Sequence, residues 1–180
     1  VLARLVSPSD YGIIALILVF IQIANVFIQS GFNTALIQKK DSDALDFSSV
    51  FFLSLFVSVI LYVLLFFTAP LVAQFYNKEI LTSLLRVLSI TLFFGAVNSI
   101  QTAYVSKMMQ FKKFFYSSMG GVIGSGIVGI VLAYHGYGVW ALVWQQLANI
   151  SLNCVIMWFT VKWRPIFAFS FTRVRSLFSF

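Results

Sequence analysis

Gly12-Ile13-Ile14-Ala15-Leu16-Ile17-Leu18-Val19-Phe20-Ile21-Gln22-Ile23-Ala24-Asn25-Val26-Phe27-Ile28-Gln29-Ser30-Gly31-Phe32-Asn33-Thr34-Ala35-Leu36 carries no charged residue from residue 12 to residue 36. About 20 mostly apolar residues suffice for a helix to cross the hydrocarbon of a bilayer. Four more stretches of that kind follow, at residues 47–69, 84–104, 114–134 and 139–161. The chain is 61% hydrophobic and 9% charged, whereas a soluble domain carries about 25% charged residues. The expected fold class is all-α: a polytopic transmembrane helix bundle. Val1-Leu2-Ala3-Arg4-Leu5-Val6 reads as the exit of an earlier helix, so the five complete spans are counted as spans 2 to 6. The 180 residues are expected to be an internal piece of a longer protein, with no secretory signal pattern. Pro8, Pro70 and Pro165 are read as span boundaries, because proline inside a helix removes a hydrogen bond.

The charges set an orientation. Lys39 and Lys40 follow span 2, Lys107, Lys112 and Lys113 follow span 4, and Lys162, Arg164, Arg173 and Arg175 follow span 6. Arg4, Lys78 and Arg86 lie at the other side. Nine against three predicts a cytoplasmic location for the loops after spans 2, 4 and 6. The net charge of +7 is accounted for by cationic loops meeting anionic lipid, so no nucleic-acid partner is expected. Residues 165–180 read either as an amphipathic segment lying in the interface or as a plain loop.

Polar residues inside the spans are the candidate site. Gln22, Asn25, Gln29 and Asn33 in span 2 are spaced 3, 4 and 4 apart, which makes one helical stripe. At about 1.5 Å per residue it runs roughly 16 Å, half the hydrocarbon core. Span 4 repeats the pattern with Thr91, Asn98, Gln101 and Thr102, and span 6 with Gln145, Gln146, Asn149 and Asn153 beside Trp140 and Trp144. Such amides either bond one helix to another or line a hydrated cavity. In a cavity they suit neutral polyhydroxyl groups, because an amide both donates and accepts. Span 3 has no amide, and its Ser54 and Ser58 can bond back to their own helix, so it is expected to face lipid. The small residues at 121, 125 and 129 in span 5 are a packing face.

Other chemistry is not legible. No complete span has a carboxylate at its middle, where ion-coupled carriers often place a relay. One Cys, one His and five acids suggest neither a metal site nor an enzyme active site, and no cofactor is expected. The glycine run of span 5 lies within a helix, so it is not a nucleotide fingerprint. Arg4 and Arg86 remain as cations that suit a phosphate, with snorkelling to the interface the alternative for Arg86.

Several phrases resemble one family in order: Leu2-Ala3-Arg4-Leu5-Val6-Ser7-Pro8-Ser9-Asp10-Tyr11-Gly12, Ala35-Leu36-Ile37-Gln38-Lys39-Lys40-Asp41, Pro70-Leu71-Val72-Ala73-Gln74-Phe75-Tyr76, Leu85-Arg86-Val87-Leu88-Ser89, Met109-Gln110-Phe111-Lys112 and Gly136-Tyr137-Gly138-Val139-Trp140-Ala141-Leu142-Val143. They are similar to the Wzx-type polysaccharide flippases, the colanic acid and teichuronic acid exporters of the multidrug/oligosaccharidyl-lipid/polysaccharide superfamily. The resemblance implies a two-lobed transporter around a central cavity, of which residues 1–164 would be most of the N-terminal lobe and 165–180 the lead into the next. It implies movement of an undecaprenyl-diphosphate-linked oligosaccharide from the cytoplasmic to the periplasmic leaflet by alternating access. The partners implied are that lipid-linked substrate, membrane lipids and polysaccharide assembly proteins. Arg4 is the candidate diphosphate contact. The rivals are a multidrug exporter of the same superfamily, a membrane scaffold for glycan assembly, and an inactive gene remnant.

Overall fold

The computed structural model describes residues 6–29, 32–39 and 42–177, without the side chains of Gln29, Phe32 and residues 175–177. Among the described residues the secondary structure is helical: α1 (Pro8–Gln29), α2 (Phe32–Gln38), α3 (Ala44–Phe75), α4 (Ile80–Leu88), α5 (Thr91–Lys107), α6 (Phe111–Tyr134), α7 (Val139–Thr160) and α8 (Phe171–Leu177). Five candidate spans result, Pro8–Gln38, Ala44–Phe75, Ile80–Lys107, Phe111–Tyr134 and Val139–Thr160. The chain is thus an all-α polytopic bundle.

Local chemistry starts and stops these helices. Pro8 is the first residue of α1, where its missing N–H costs nothing. Ser7 caps it, its Oγ accepting from the Asp10 amide at 3.2 Å. Helices α3, α5 and α6 end alike. The amides of Lys78, Gln110 and Tyr137 reach back to the carbonyls of Ala73, Val105 and Leu132 at 3.0, 3.0 and 3.2 Å. Each of these ends needs one left-handed residue, supplied by Asn77, Met109 and Gly136.

Two features depart from the expectations. Span 4 runs longer than 84–104, over Ile80–Lys107, and consists of two helical segments. It is α4 and α5, with a turn at Ser89 and Ile90. Ser89 Oγ donates to the Leu85 carbonyl at 2.6 Å and Thr91 Oγ1 to the Leu88 carbonyl at 2.5 Å. Hydroxyls bonding back onto the preceding turn bend helices.

Pro70, expected at a boundary, lies inside α3. A proline cannot donate to the carbonyl four residues earlier, which here is Phe66. Arg86 of α4 takes up that carbonyl, its Nε donating at 3.3 Å while its guanidinium lies 4.1 Å from the centre of the Phe66 ring. So Arg86 is packed across α3 rather than extended to the interface. Arg86→Met should cost about 1–2 kcal/mol by orphaning the Phe66 carbonyl. In a Pro70→Ala background the restored backbone N–H can satisfy that carbonyl, so the same substitution should cost about 1 kcal/mol less. A double-mutant cycle on detergent-solubilised protein measures this. Equal costs in both backgrounds would refute the pairing.

The core has an apolar cluster toward each end. One joins Ile17, Ile21 and Ile28 of α1 to Leu84, Leu88 and Leu92. The other gathers Leu36, Phe47, Val50, Ile100 and Met157 around Trp163. Asn33, Asn98, Asn149 and Asn153 lie between them along the helices, and Gln22 and Asn25 lie beside the first. Helix α3 presents Phe56, Ile60, Val63 and Phe67 outward and buries the small residues Ser54, Ser58 and Ala69.

The loops after spans 2, 4 and 6 do share one end. Lys107 reaches the carbonyls of Leu36 and Lys39, and Arg173 reaches Asp43 and Asp46. Residues 161–170 are non-helical and dock on the start of α3. There the amides of Ile166 and Ser170 donate to Ser48 and Ser49 at 3.0 and 3.1 Å.

Candidate functional site

The amide stripes arise because α1 has two unlike faces. Ile13, Ile17, Ile21, Ala24 and Ile28 are buried in the core. Gln22 and Asn25 sit on the other side, exposed and half-buried. With Asn33 of α2 they face Gly95, Asn98 and Thr102 of α5 across an open groove of about 530 Å³, closed at one side by Ile150 of α7. Gln22, Asn25 and Asn33 make no side-chain hydrogen bond among the described residues. Among the described residues, nothing occupies these amides.

Asn98 is held differently. Its Nδ2 donates to Asn153 Oδ1 at 3.1 Å, which fixes the plane of the amide. Its Oδ1 is buried and meets no partner among the described residues. A buried acceptor of that kind is costly unless a donor reaches it.

The remaining expected residues lie elsewhere. On α7, Asn149 donates to Ser125 Oγ at 3.2 Å and Asn153 pairs with Asn98. A Cβ at Gly129 would stand 3.0 Å from Gln145 Cβ, and one at Gly121 would stand 3.1 Å from the Asn149 carbonyl. The small face of α6 at 121, 125 and 129 thus receives the amide side of α7. Gln145 and Asn149 join helices there rather than line the groove. Gln146 is half-buried and is not part of the groove lining. Gln101 is fully buried, and neither of its amide atoms has a partner among the described residues; it points into the bundle, not the groove. Arg4 and the Gln29 side chain lie outside the described residues.

Gly95 is not among the residues singled out from the sequence. A Cβ there would come 2.9 Å from Asn25 Oδ1, so its bare backbone is the seat on which that amide rests. A signal exists: a glycine inside a span, three residues before Asn98.

This groove, set between apolar clusters and lined by neutral donors and acceptors, suits a polar uncharged group held at membrane depth. A family model described as "Polysaccharide biosynthesis protein" matches residues 1–180, the full chain. The chain belongs to that family. It is 27% identical over 160 residues to the teichuronic acid biosynthesis protein TuaB of Bacillus subtilis, covering 87% of this chain and 33% of that protein. It is 24% identical to the succinoglycan biosynthesis transport protein ExoT of Rhizobium meliloti, covering 100% of this chain and 36% of that protein. It is 21% identical to the lipopolysaccharide biosynthesis protein WzxC of Escherichia coli, over 87% of this chain and 31% of that protein. The chain therefore spans about a third of the length of these relatives. No solved structure gives a significant match.

Proposed function

We propose that the protein carrying this chain is a flippase, moving a lipid-linked oligosaccharide from the cytoplasmic to the periplasmic leaflet of a bacterial plasma membrane. The observation that carries the reading is the groove, whose free amides on α1 and α2 face the oriented Asn98 at membrane depth. The sugar head follows the groove while the polyprenyl tail stays in lipid, so the hydroxyls exchange water for amides instead of losing partners altogether. The groove is open because it is one wall, with the opposite wall coming from a second lobe and alternating access exposing it to each leaflet in turn. The bias of nine cations to three supports a cytoplasmic location for the Lys107 and Arg173 end, and Arg4 is the proposed diphosphate contact.

The test is translocation by the full-length protein in proteoliposomes loaded with a fluorescent lipid-linked oligosaccharide. The label should become accessible to an external glycosidase only in vesicles that hold the protein. Efflux of hydrophobic cations without movement of the lipid-linked sugar would replace this reading with a multidrug exporter.

A further inference from the structure

Lys107 is counted among the loop cations that orient the chain, but its ammonium group is not free to meet lipid. It closes α5 and turns across to α2, donating to the carbonyls of Lys39 at 2.6 Å and Leu36 at 3.3 Å and to Ser42 Oγ. An ammonium has three N–H donors, and these three acceptors use all of them. The last carbonyls of a helix lack partners within it, and a cation there also meets the negative end of the helix dipole. Lys107 is therefore a C-terminal cap of α2, supplied from α5 and shared with Ser42, whose Oγ donates to the Leu36 carbonyl at 3.3 Å.

That link joins the two walls of the groove. Helix α2 carries Asn33, and α5 carries Asn98 and Thr102. Helix α2 ends the candidate span Pro8–Gln38 and packs along α5. Its anchors are the fully buried Leu36, Lys107, and an ion pair from Lys39 to Asp46 Oδ2 at 2.7 Å.

We propose that Lys107 is a positioning residue of the groove, holding α2 so that Asn33 faces Asn98 and Thr102. The inference rests on the sugar-path reading for its importance to export, but not for its geometry. Lys107→Met keeps the length of the side chain and removes its donors, whereas Lys107→Arg keeps donors and charge.

The measurement is a spin-label distance in the full-length protein, with Cys154 replaced by Ala. Labels go on Ile37 of α2 and Phe111 of α6, both exposed. A control pair on Val19 and Ile60, also exposed, reports on the remaining bundle. Lys107→Met should lengthen the first distance by about 2 Å or more, the scale of a helix shift, and broaden its distribution. The control should not move, and Lys107→Arg should restore the native distance. If the Met variant disturbs the control pair, Lys107→Gln is read in its place. An unchanged Ile37–Phe111 distance in a variant with an intact control overturns the proposal, whatever export does. A shifted distance combined with export that is indifferent to the groove amides keeps the positioning role and removes the sugar path.

Discussion

Glycan export should fall about tenfold when Gln22 and Asn25 are both changed to leucine, while the protein remains as abundant and as stable as before. Each amide makes no hydrogen bond to the described residues, and Asn25 merely rests on Gly95. Removing the two therefore breaks no hydrogen bond to the described residues. What is lost is contact with a passing hydroxyl, about 0.5–1.5 kcal/mol for each hydrogen bond. Two such losses in the rate-limiting state correspond to roughly 5- to 150-fold. The comparison is Asn149→Leu, which loses the bond to Ser125 and crowds the small face of α6. That variant should lower thermal stability, by about 1 kcal/mol or somewhat less for the bond alone, and should affect export only in proportion to folded protein. Export assays on both variants, normalised to membrane abundance, decide the matter. If the two behave alike, the separation of groove amides from packing amides is wrong.

That separation shows where reading the sequence runs out. The five spans are legible because bilayer thickness imposes a length that soluble folds do not. The sharing of one end by three loops is legible because the cations collect there. A stripe of Asn and Gln shows that a helix has a polar face, but not which neighbour that face meets. The stripes on α1 and α7 look alike in sequence, yet α7 packs its stripe on Gly121, Ser125 and Gly129, whereas α1 turns its stripe to the groove. The small face of α6 was recognisable, but its partner could be named only in three dimensions. Pro70 misled for a similar reason. Its local rule is correct, and the compensating donor, Arg86, lies on the next helix. The turn at Ser89 is marked only by the hydroxyls of Ser89 and Thr91, since neither Gly nor Pro interrupts the run.

Asp46 is the strongest case of a long-range partner, and its replacement should have the largest effect on stability. In the sequence it is one of three acids in a loop, with little weight in orientation. In the structure its side chain is fully buried, 2.7 Å from Lys39 and 3.4 Å from Arg173, which is 127 residues away. It also completes a reciprocal cap at the start of α3. Its Oδ2 accepts from the Asp43 amide at 3.2 Å, and Asp43 Oδ1 accepts from the Asp46 amide at 3.0 Å. Truncating one partner of a buried ion pair typically costs about 3–5 kcal/mol. Lys39 and Arg173 retain 19% and 40% of their exposure, so water recovers part of that loss. Asp46→Asn, which keeps the shape and an acceptor but not the charge, should therefore cost about 2 kcal/mol. Asp46→Ala also removes the cap, adding about 1 kcal/mol. Denaturant melts of the purified full-length protein should give the order wild type, Asn, Ala, and limited proteolysis near Lys162 and Arg164 should quicken in the same order. The neighbouring Asp43 sets the pH window. The hydrogen bond from the Asp46 amide, opposed by burial and aided by Arg173 and Lys39, holds its carboxyl below the ordinary value of 3.8. A lowered carboxyl stabilises the fold above its unfolded value and loses that contribution as pH falls through the folded one. The Asp43 contribution should hence be constant above about pH 5 and fade only below the ordinary carboxylate range. A melt of Asp46→Asn equal to wild type would mean that the buried cluster carries no net stability, and that the docking of residues 161–177 rests on Trp163 and the Ser48 and Ser49 bonds instead.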